Sequence, residues 1–186
     1  MNHDAPRVPP VSLDNLTEQQ KKLLGGWWKD LNFSRVMAQH PNLFQVYVPV
    51  IAKVIPQSEL PPRDREIIVL RILARCDELY EATHHATIAR NAGLTDADIE
   101  AARTNGPSLT PFEKTLVKAA DELMADYKIS DATWQALGAR YTQVQQMEVV
   151  GLVGCYVMLG MIMKTYGVQL EDDATFKRCQ AARGYK

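Results

Sequence analysis

The sequence predicts an all-α fold in which one helical domain fills most of the 186-residue chain. No stretch alternates apolar and polar residues with the two-residue period of a strand. Helix starts recur instead in capping sequences, where a Thr hydroxyl accepts a backbone hydrogen bond and a polar side chain three residues later reaches back. Helix stops are marked by Gly, Asn or Pro, as at residues 105–107. Together these signals divide the chain into helices.

The capping sequences predict where the helices begin. They are Thr17–Gln20, Thr95–Asp98, Thr110–Glu113 and Thr142–Gln145, and Pro111 at a first helical position strengthens the third. With the stop signals they predict helices at residues 17–38, 42–54, 62–76, 78–91, 96–104, 111–127, 131–140, 143–166 and 172–182. The 62–76 helix is apolar nearly all round and is expected to be central. A single kinked helix over 62–91, broken at Cys76-Asp77, is the alternative for that stretch.

The two ends of the chain and its most apolar run complete the predicted organisation. Residues 1–14 lack periodic apolar residues and are expected to form an N-terminal arm that could wrap a neighbouring subunit, while residues 15–182 form the helical domain. The apolar run at 149–163 is shorter than the roughly 18–20 residues of a membrane span and ends at Lys164. We therefore expect a buried or interface helix there.

Composition limits the classes of partner. With 21 basic and 22 acidic residues and no basic cluster, the chain offers no electrostatic surface for nucleic acid or an anionic membrane. The N-terminus has no apolar run after a basic stretch, so a cytoplasmic location is expected. Cys76, Cys155 and Cys179 are an odd number at wide spacing, which favours reduced thiols. The expected partners are a small-molecule substrate and copies of the chain itself.

One helical stripe carries the residues most suited to chemistry. In the predicted 78–91 helix, Glu78, Glu81 and His85 share a stripe with small apolar residues, because positions i, i+3 and i+7 lie within about 60°. His84 lies on the other, polar side and is expected to be solvated or at an interface. A buried carboxylate is unfavourable unless it is paired, protonated or functional, so this stripe is the first candidate for a site.

The sequence around this stripe resembles a known family. The segments RDREIIVLRILARC, LYEATHH, IARNAGLTDADI and GLVGCYVMLGMIMKTYGV are similar to the carboxymuconolactone decarboxylase family, which includes alkylhydroperoxidase-like disulfide reductases. The resemblance covers roughly residues 45–170 and implies an alkylhydroperoxidase-like helical bundle, assembled as a trimer or hexamer. In the peroxidase branch the motif is C-x-x-C-x-x-x-H with a preceding glutamate. That frame falls on Glu66, Glu78, Glu81 and His85, so Glu replaces both cysteines and thiol peroxidase chemistry is not expected.

The resemblance gives these four residues catalytic roles. His85 would be the general acid or base, Glu81 its orienting partner at i, i+4, and Glu66 and Glu78 the source of a second proton-transfer group. Plainer interpretations stay open: Glu66 lies one turn into a helix, where the dipole favours a carboxylate, and Glu78 follows Asp77, a good N-cap.

Two arginines are candidates for substrate binding. Arg71 and Arg75 interrupt the apolar 62–76 helix at i, i+4 spacing. They either pair with acidic residues of the core or bind a carboxylate substrate through the guanidinium fork.

The resulting hypothesis is a lyase or isomerase that needs no cofactor. It would use acid–base proton transfer on a small carboxylated or lactone-type compound. Two alternatives remain: a non-catalytic ligand-binding or interaction member of the family, and a metal-binding helical protein with Glu78, Glu81 and His85 as ligands.

Overall fold

The computed structural model describes residues 5–184, which contain ten α-helices and no strand. The helices are α1 (Glu18–Leu23), α2 (Asn32–Met37), α3 (Pro41–Val54), α4 (Pro62–Cys76), α5 (Tyr80–Asn91), α6 (Asp96–Thr104), α7 (Pro111–Asp126), α8 (Asp131–Gly138), α9 (Gln143–Tyr166) and α10 (Asp173–Ala182). Short 3₁₀ turns occupy Leu13–Asn15 and Gly26–Asp30. The predicted all-α class is confirmed.

All four predicted helix starts are confirmed, because capping is a local interaction. Thr17, Thr95 and Thr110 each form a reciprocal capping box with the residue three positions later. Thr142 also exchanges hydrogen bonds with Gln145, at 3.0 and 3.3 Å. Each pair satisfies backbone N–H groups that the first helical turn leaves without partners.

The predicted single helix at 17–38 is wrong. The chain forms α1, the 3₁₀ turn Gly26–Asp30 and α2 instead. Gly26 has φ +57°, a left-handed conformation that glycine adopts without the steric penalty of a Cβ. The turn places the Trp28 ring over Phe44 at 6.0 Å between centroids, with Phe33 at the edge of both rings. Aromatic packing therefore favours the break over a continuous helix.

The chain divides into two compact units, residues 1–51 with 161–186 and residues 52–160. In the second unit α4 packs against α5, α6 and α7. Six apolar side chains of α4 are at most 1% exposed, as expected for a central helix. They are Ile67, Ile68, Val69, Leu70, Ile72 and Leu73.

The first unit includes the described part of the N-terminal arm. Val8 N–H donates to the Tyr166 carbonyl and Val11 N–H to the Arg35 carbonyl, both at 3.1 Å. These bonds attach residues 8–11 to their own chain. The part of the predicted arm at residues 1–4 lies outside the described residues.

A tight reversal separates α4 from α5. Asp77 adopts φ 50° and ψ 50°, the left-handed conformation, and its N–H caps the end of α4. Asp77 is therefore a C-cap and not the N-cap expected from the sequence. Glu78 takes the capping role and accepts hydrogen bonds from the Tyr80 and Glu81 N–H groups at 2.8 and 2.7 Å. Helix α5 therefore begins at Tyr80, two residues later than predicted.

α9 occupies the predicted residues 143–166 and contains the apolar run. Its 24 residues are long and apolar enough to cross a membrane by length and composition, and 56% of its most apolar window is buried. A core helix of a soluble protein meets the same criterion. One face is nevertheless exposed, with Met147 at 63% and Val150 at 42%.

Candidate active site

A buried chain of hydrogen bonds joins three helices of the second unit. The His85 ring of α5 lies 2.6 Å through Nδ1 from Glu66 Oε2 of α4 and 2.7 Å through Nε2 from the Tyr156 hydroxyl of α9. Glu66 and Tyr156 are 0% exposed and His85 is 2% exposed. The apolar α4 and α9 supply the walls, so these polar groups depend on one another for hydrogen bonding.

Arg65 continues this chain of contacts beyond Glu66. Its Nε donates to Glu66 Oε1 at 3.1 Å, and its terminal N–H donates to the Ile55 carbonyl at 2.7 Å. The guanidinium neutralises a carboxylate that has no solvent contact, which is the condition for keeping a buried charge. Glu66 therefore lies between Arg65 and His85, with one carboxylate oxygen on each.

The two partners of His85 fit one tautomer of its ring. A carboxylate only accepts, so the tautomer with its proton on Nδ1 donates to Glu66. Nε2 of that tautomer accepts from the Tyr156 hydroxyl. Burial, with the charges of Glu81 and Glu66, raises the pKa of Tyr156 well above its ordinary value and keeps this hydroxyl protonated. The Tyr156 hydroxyl is therefore available as the donor in this contact.

Glu81 lies beside this chain at its outer edge. Its Oε2 is 3.7 Å from His85 Nε2, too far for a hydrogen bond but close enough for an ion pair when the ring is protonated. Its side chain is 15% exposed, whereas that of Glu66 is fully buried. The predicted orienting role belongs by geometry to Glu66, which contacts the ring directly, and Glu81 faces outward.

Glu78 contacts the backbone and does not touch His85. Its carboxylate accepts from the first N–H groups of α5, so the helix-terminus interpretation describes its contacts. Burial first, and the Glu81 charge second, raise its pKa above 4.5 despite those hydrogen bonds. Two neighbouring carboxyls thus differ in environment, an arrangement that separates a proton donor from an acceptor.

The two arginines proposed for substrate binding form ion pairs instead. Arg71 makes a two-pronged pair with Asp121 at 2.8 and 2.8 Å and also donates to the Arg103 carbonyl. Arg75 lies 3.7 Å from the same Asp121. At five and nine residues from Glu66, both lie on other faces of α4. The ion-pair alternative therefore describes their contacts, because Asp121 occupies the guanidinium fork.

His84 departs from its expected solvated position. It is 3% exposed, and its ring packs on Tyr80 with 4.9 Å between centroids. Both residues belong to the side of α5 that the sequence marks as polar. Their aromatic area is buried because the short α5 is covered on more than one face, which a one-sided stripe does not predict.

Sequence reasoning gives Tyr156 no role, although its hydroxyl completes the buried chain. The signal was its position in an apolar run, since a buried phenol requires a hydrogen-bond partner. That partner, His85, lies 71 residues away in sequence, and spacing rules along one helix cannot find it.

The three cysteines are free thiols in the described structure. Cys155 precedes Tyr156, and burial, with the Glu81 charge, raises its pKa to about 11. Cys76 is half-buried at the end of α4 and lies near Gly160. Among residues 5–184, no three His, Cys, Asp or Glu side chains are arranged to hold a metal ion. In particular, Glu78 is directed at backbone N–H groups and His85 Nε2 at Tyr156.

Comparison with known proteins agrees with this architecture. Residues 41–122 match the model of the carboxymuconolactone decarboxylase family. A comparison with curated protein sequences finds no significant match.

Solved structures of low sequence identity share the fold. An alkylhydroperoxidase AhpD core, a peroxidase-related protein from Ralstonia eutropha JMP134, superposes with a TM-score of 0.79 at 18% identity, covering 97% of this chain and 98% of that one. A putative antioxidant defence protein AhpD from Agrobacterium tumefaciens gives 0.67 at 18% identity over 74% and 96%. The debrominase Bmp8 C82A, in complex with 2,3,4-tribromopyrrole, gives 0.70 at 15% identity over 92% and 96%. The alkylhydroperoxidase-like fold expected from the resemblance is confirmed.

Proposed function

We propose that the chain is a small-molecule enzyme that moves a proton on a carbonyl-bearing compound, and the match of residues 41–122 to the model of the carboxymuconolactone decarboxylase family supports this. The reaction class is a lyase or isomerase acting on a carboxylated or lactone-type substrate, without a cofactor. The observation that carries the proposal is the buried chain Glu66–His85–Tyr156. An imidazole fixed at both nitrogens beside a partly exposed carboxylate suits acid–base chemistry.

The electrostatics of the site support proton transfer. Protonated His85 would lie between Glu66 at 2.6 Å and Glu81 at 3.7 Å, and both carboxylates would stabilise the imidazolium. Burial raises the pKa values of Glu78 and Tyr156, in a region from which water is largely excluded. Such perturbed groups cluster at sites of acid–base chemistry.

The fold relatives support a small organic ligand. One of them, the debrominase, is described with 2,3,4-tribromopyrrole, a compact ring. Thiol chemistry is not carried over, because the two cysteine positions of the peroxidase motif are Glu78 and Glu81 in this chain.

The test is proton exchange in D₂O, followed by ¹H NMR, with a panel of small lactones, 2-oxo acids and unsaturated carboxylic acids. We expect the protein to accelerate exchange or decarboxylation of at least one compound, and His85→Gln to lower that rate by about 10²–10⁴. Glu100→Gln, at a 63% exposed surface pair with Arg103, is the matched control and should keep the full rate. Ligand-induced thermal stabilisation without any reaction would favour the non-catalytic binding alternative.

We further propose a homo-oligomer, a trimer or hexamer, in the cytoplasm. The exposed apolar face of α9, including Met147, Val150 and the 65% exposed Met161, supports an interface with another copy. Light scattering should give at least three times the mass of the 20.9 kDa chain, and Met147→Glu should lower it. A stable wild-type monomer at micromolar concentration would contradict this.

A further inference from the structure

We propose that Glu81, and not His85, is the group that exchanges a proton with the substrate, while His85 lies behind it as its ion-pair partner. The inference rests on the proposed function, because it assigns roles within that reaction. It reverses the roles that the sequence suggests for the pair.

The first observation is that both nitrogens of His85 are occupied. Nδ1 contacts Glu66 at 2.6 Å and Nε2 contacts Tyr156 at 2.7 Å, and both partners are fully buried. A substrate atom would have to displace one of these partners to reach the ring. Displacement would leave a buried polar group without its hydrogen bond, at a penalty of about 1–3 kcal/mol. The ring is therefore held in place by its two partners and is closed to a ligand.

The second observation is that Glu81 has the exposure that His85 lacks. Its side chain is 15% exposed, against 3% for His85. Within the described part of the chain its ion-pair partner is His85, at 3.7 Å, which leaves the second carboxylate oxygen available. Glu81 is thus the member of the cluster that meets both solvent and the ring.

The charge on Glu81 also reaches the surrounding groups. It contributes to the raised pKa of Glu78, Cys155 and Tyr156, in each case together with the larger effect of burial. Glu81 therefore lies within electrostatic reach of the other groups of the cluster.

The step balances without an oxidant or reductant. The Glu81 carboxylate forms an O–H bond with the proton of a carbon next to a carbonyl, and the C–H electron pair moves onto the carbonyl oxygen as an enolate. Protonated Glu81 then returns the proton to a different carbon of the enolate, whose electron pair forms the new C–H bond, and the double bond shifts.

Chemical rescue tests the assignment. Glu81→Ala removes the carboxylate at the open edge of the site, and sodium formate supplies one from solution. With the compound that wild type turns over in D₂O, we expect Glu81→Ala to lose about 10²–10⁴ of the rate and formate, but not chloride at equal ionic strength, to restore part of it. Imidazole should not restore His85→Ala, because that position is closed to solvent. Glu81→Asp keeps a carboxyl and should retain more activity than Glu81→Ala.

Each other outcome has a defined meaning. Full activity of Glu81→Ala, or rescue of His85→Ala by imidazole with no rescue of Glu81→Ala by formate, would overturn the role of Glu81 and leave the proposed function standing. No exchange by wild type with any compound would overturn both.

Carbodiimide coupling with methylamine, mapped by mass spectrometry, gives a readout that needs no substrate. We expect Glu81 to be modified and Glu66 to be protected. A protected Glu81 would contradict an outward-facing carboxylate whatever the activity.

Discussion

Two clusters of charged side chains lie beside α4, and the pKa values of their carboxyl groups shift in opposite directions. At the start of α4, Arg63 pairs with Glu113 at 2.7 Å and with Asp98 at 3.3 Å. The Asp98 carboxylate also accepts a hydrogen bond from the Thr95 N–H, and the Glu113 carboxylate accepts one from the Thr110 N–H. One turn further along α4, Glu66 begins the chain that passes through His85.

The pKa shifts separate the two clusters. Burial acts to raise the pKa of Glu113, but hydrogen bonds from Thr110 and Arg63 outweigh it, and the net pKa is lowered. The pKa of Asp98 is lowered mainly by the Thr95 N–H. Around His85, burial and the charge of Glu81 dominate, and the pKa values of Glu78 and Tyr156 are raised. In the Arg63 cluster, hydrogen-bond donors outweigh burial and stabilise the ionised carboxylates. Around His85, burial outweighs the hydrogen-bond donors, and pKa values raised in this way are typical of acid–base sites.

The largest expected effect on stability is in the first cluster. Glu113→Gln should destabilise the protein by about 1–3 kcal/mol at pH 7, because it removes a charge-assisted partner of Arg63 and leaves a nearly buried site imperfectly paired. The folded pKa lies below the ordinary 4.5, so this stability is present above pH 4.5 and is lost as the pH falls through the folded pKa. Urea unfolding at pH 7 and pH 3.5 measures both values.

Glu18→Gln is the control for that measurement. Its side chain is 84% exposed in a surface pair with Lys21, and its effect should stay within about 0.5 kcal/mol. An equally small effect of Glu113→Gln would remove the contrast between the clusters.

A smaller effect of opposite sign is expected at Glu78. Its folded pKa is raised above 4.5, so its contribution to stability is greatest below pH 4.5 and declines as the pH rises through the folded value. Glu78→Gln has no such titration. Relative to wild type, the variant should therefore be less stable at pH 4 than at pH 7, by a difference below about 1 kcal/mol. The same urea experiment applies, and a difference with the sign of Glu113→Gln would contradict the assignment.

The smallest predicted effect is on peroxide consumption, where we expect no activity from the protein. Peroxide consumption with dithiothreitol as reductant should not exceed the rate without protein, and Cys76→Ser should not change it. Disulfide turnover requires two thiols within bonding reach, and the Cys155 thiol, with a pKa of about 11, is protonated at neutral pH. Robust turnover that disappears in Cys76→Ser would show that the cluster serves thiol chemistry after all.

Local signals predicted much of the fold. The four capping pairs and the buried α4 follow from residues within one or two turns of one another, and such interactions depend little on the rest of the chain. The break after α1 was missed, although Gly25-Gly26 marked it, because the packing of Trp28 on Phe44 decides it and the partners are 16 residues apart.

The site was only partly accessible to sequence reasoning. The family frame picked out Glu66 and His85, and the structure places them in contact. The i, i+4 rule assigned Glu81 as the orienting partner, but Glu66 from another helix is closer to the ring. Tyr156 and the Arg71–Asp121 pair depend on contacts between helices, which one-dimensional periodicity does not encode.

The break between α4 and α5 brings the two ends of the cluster together. Glu66 and His85 are 19 residues apart, and an uninterrupted helix would carry them about 28 Å from each other along its axis. The reversal at residues 77–79, which begins with the left-handed Asp77, brings them to 2.6 Å. A chain that extended α4 through these residues would keep every side chain of the cluster and yet lose the contact between its carboxylate and its imidazole.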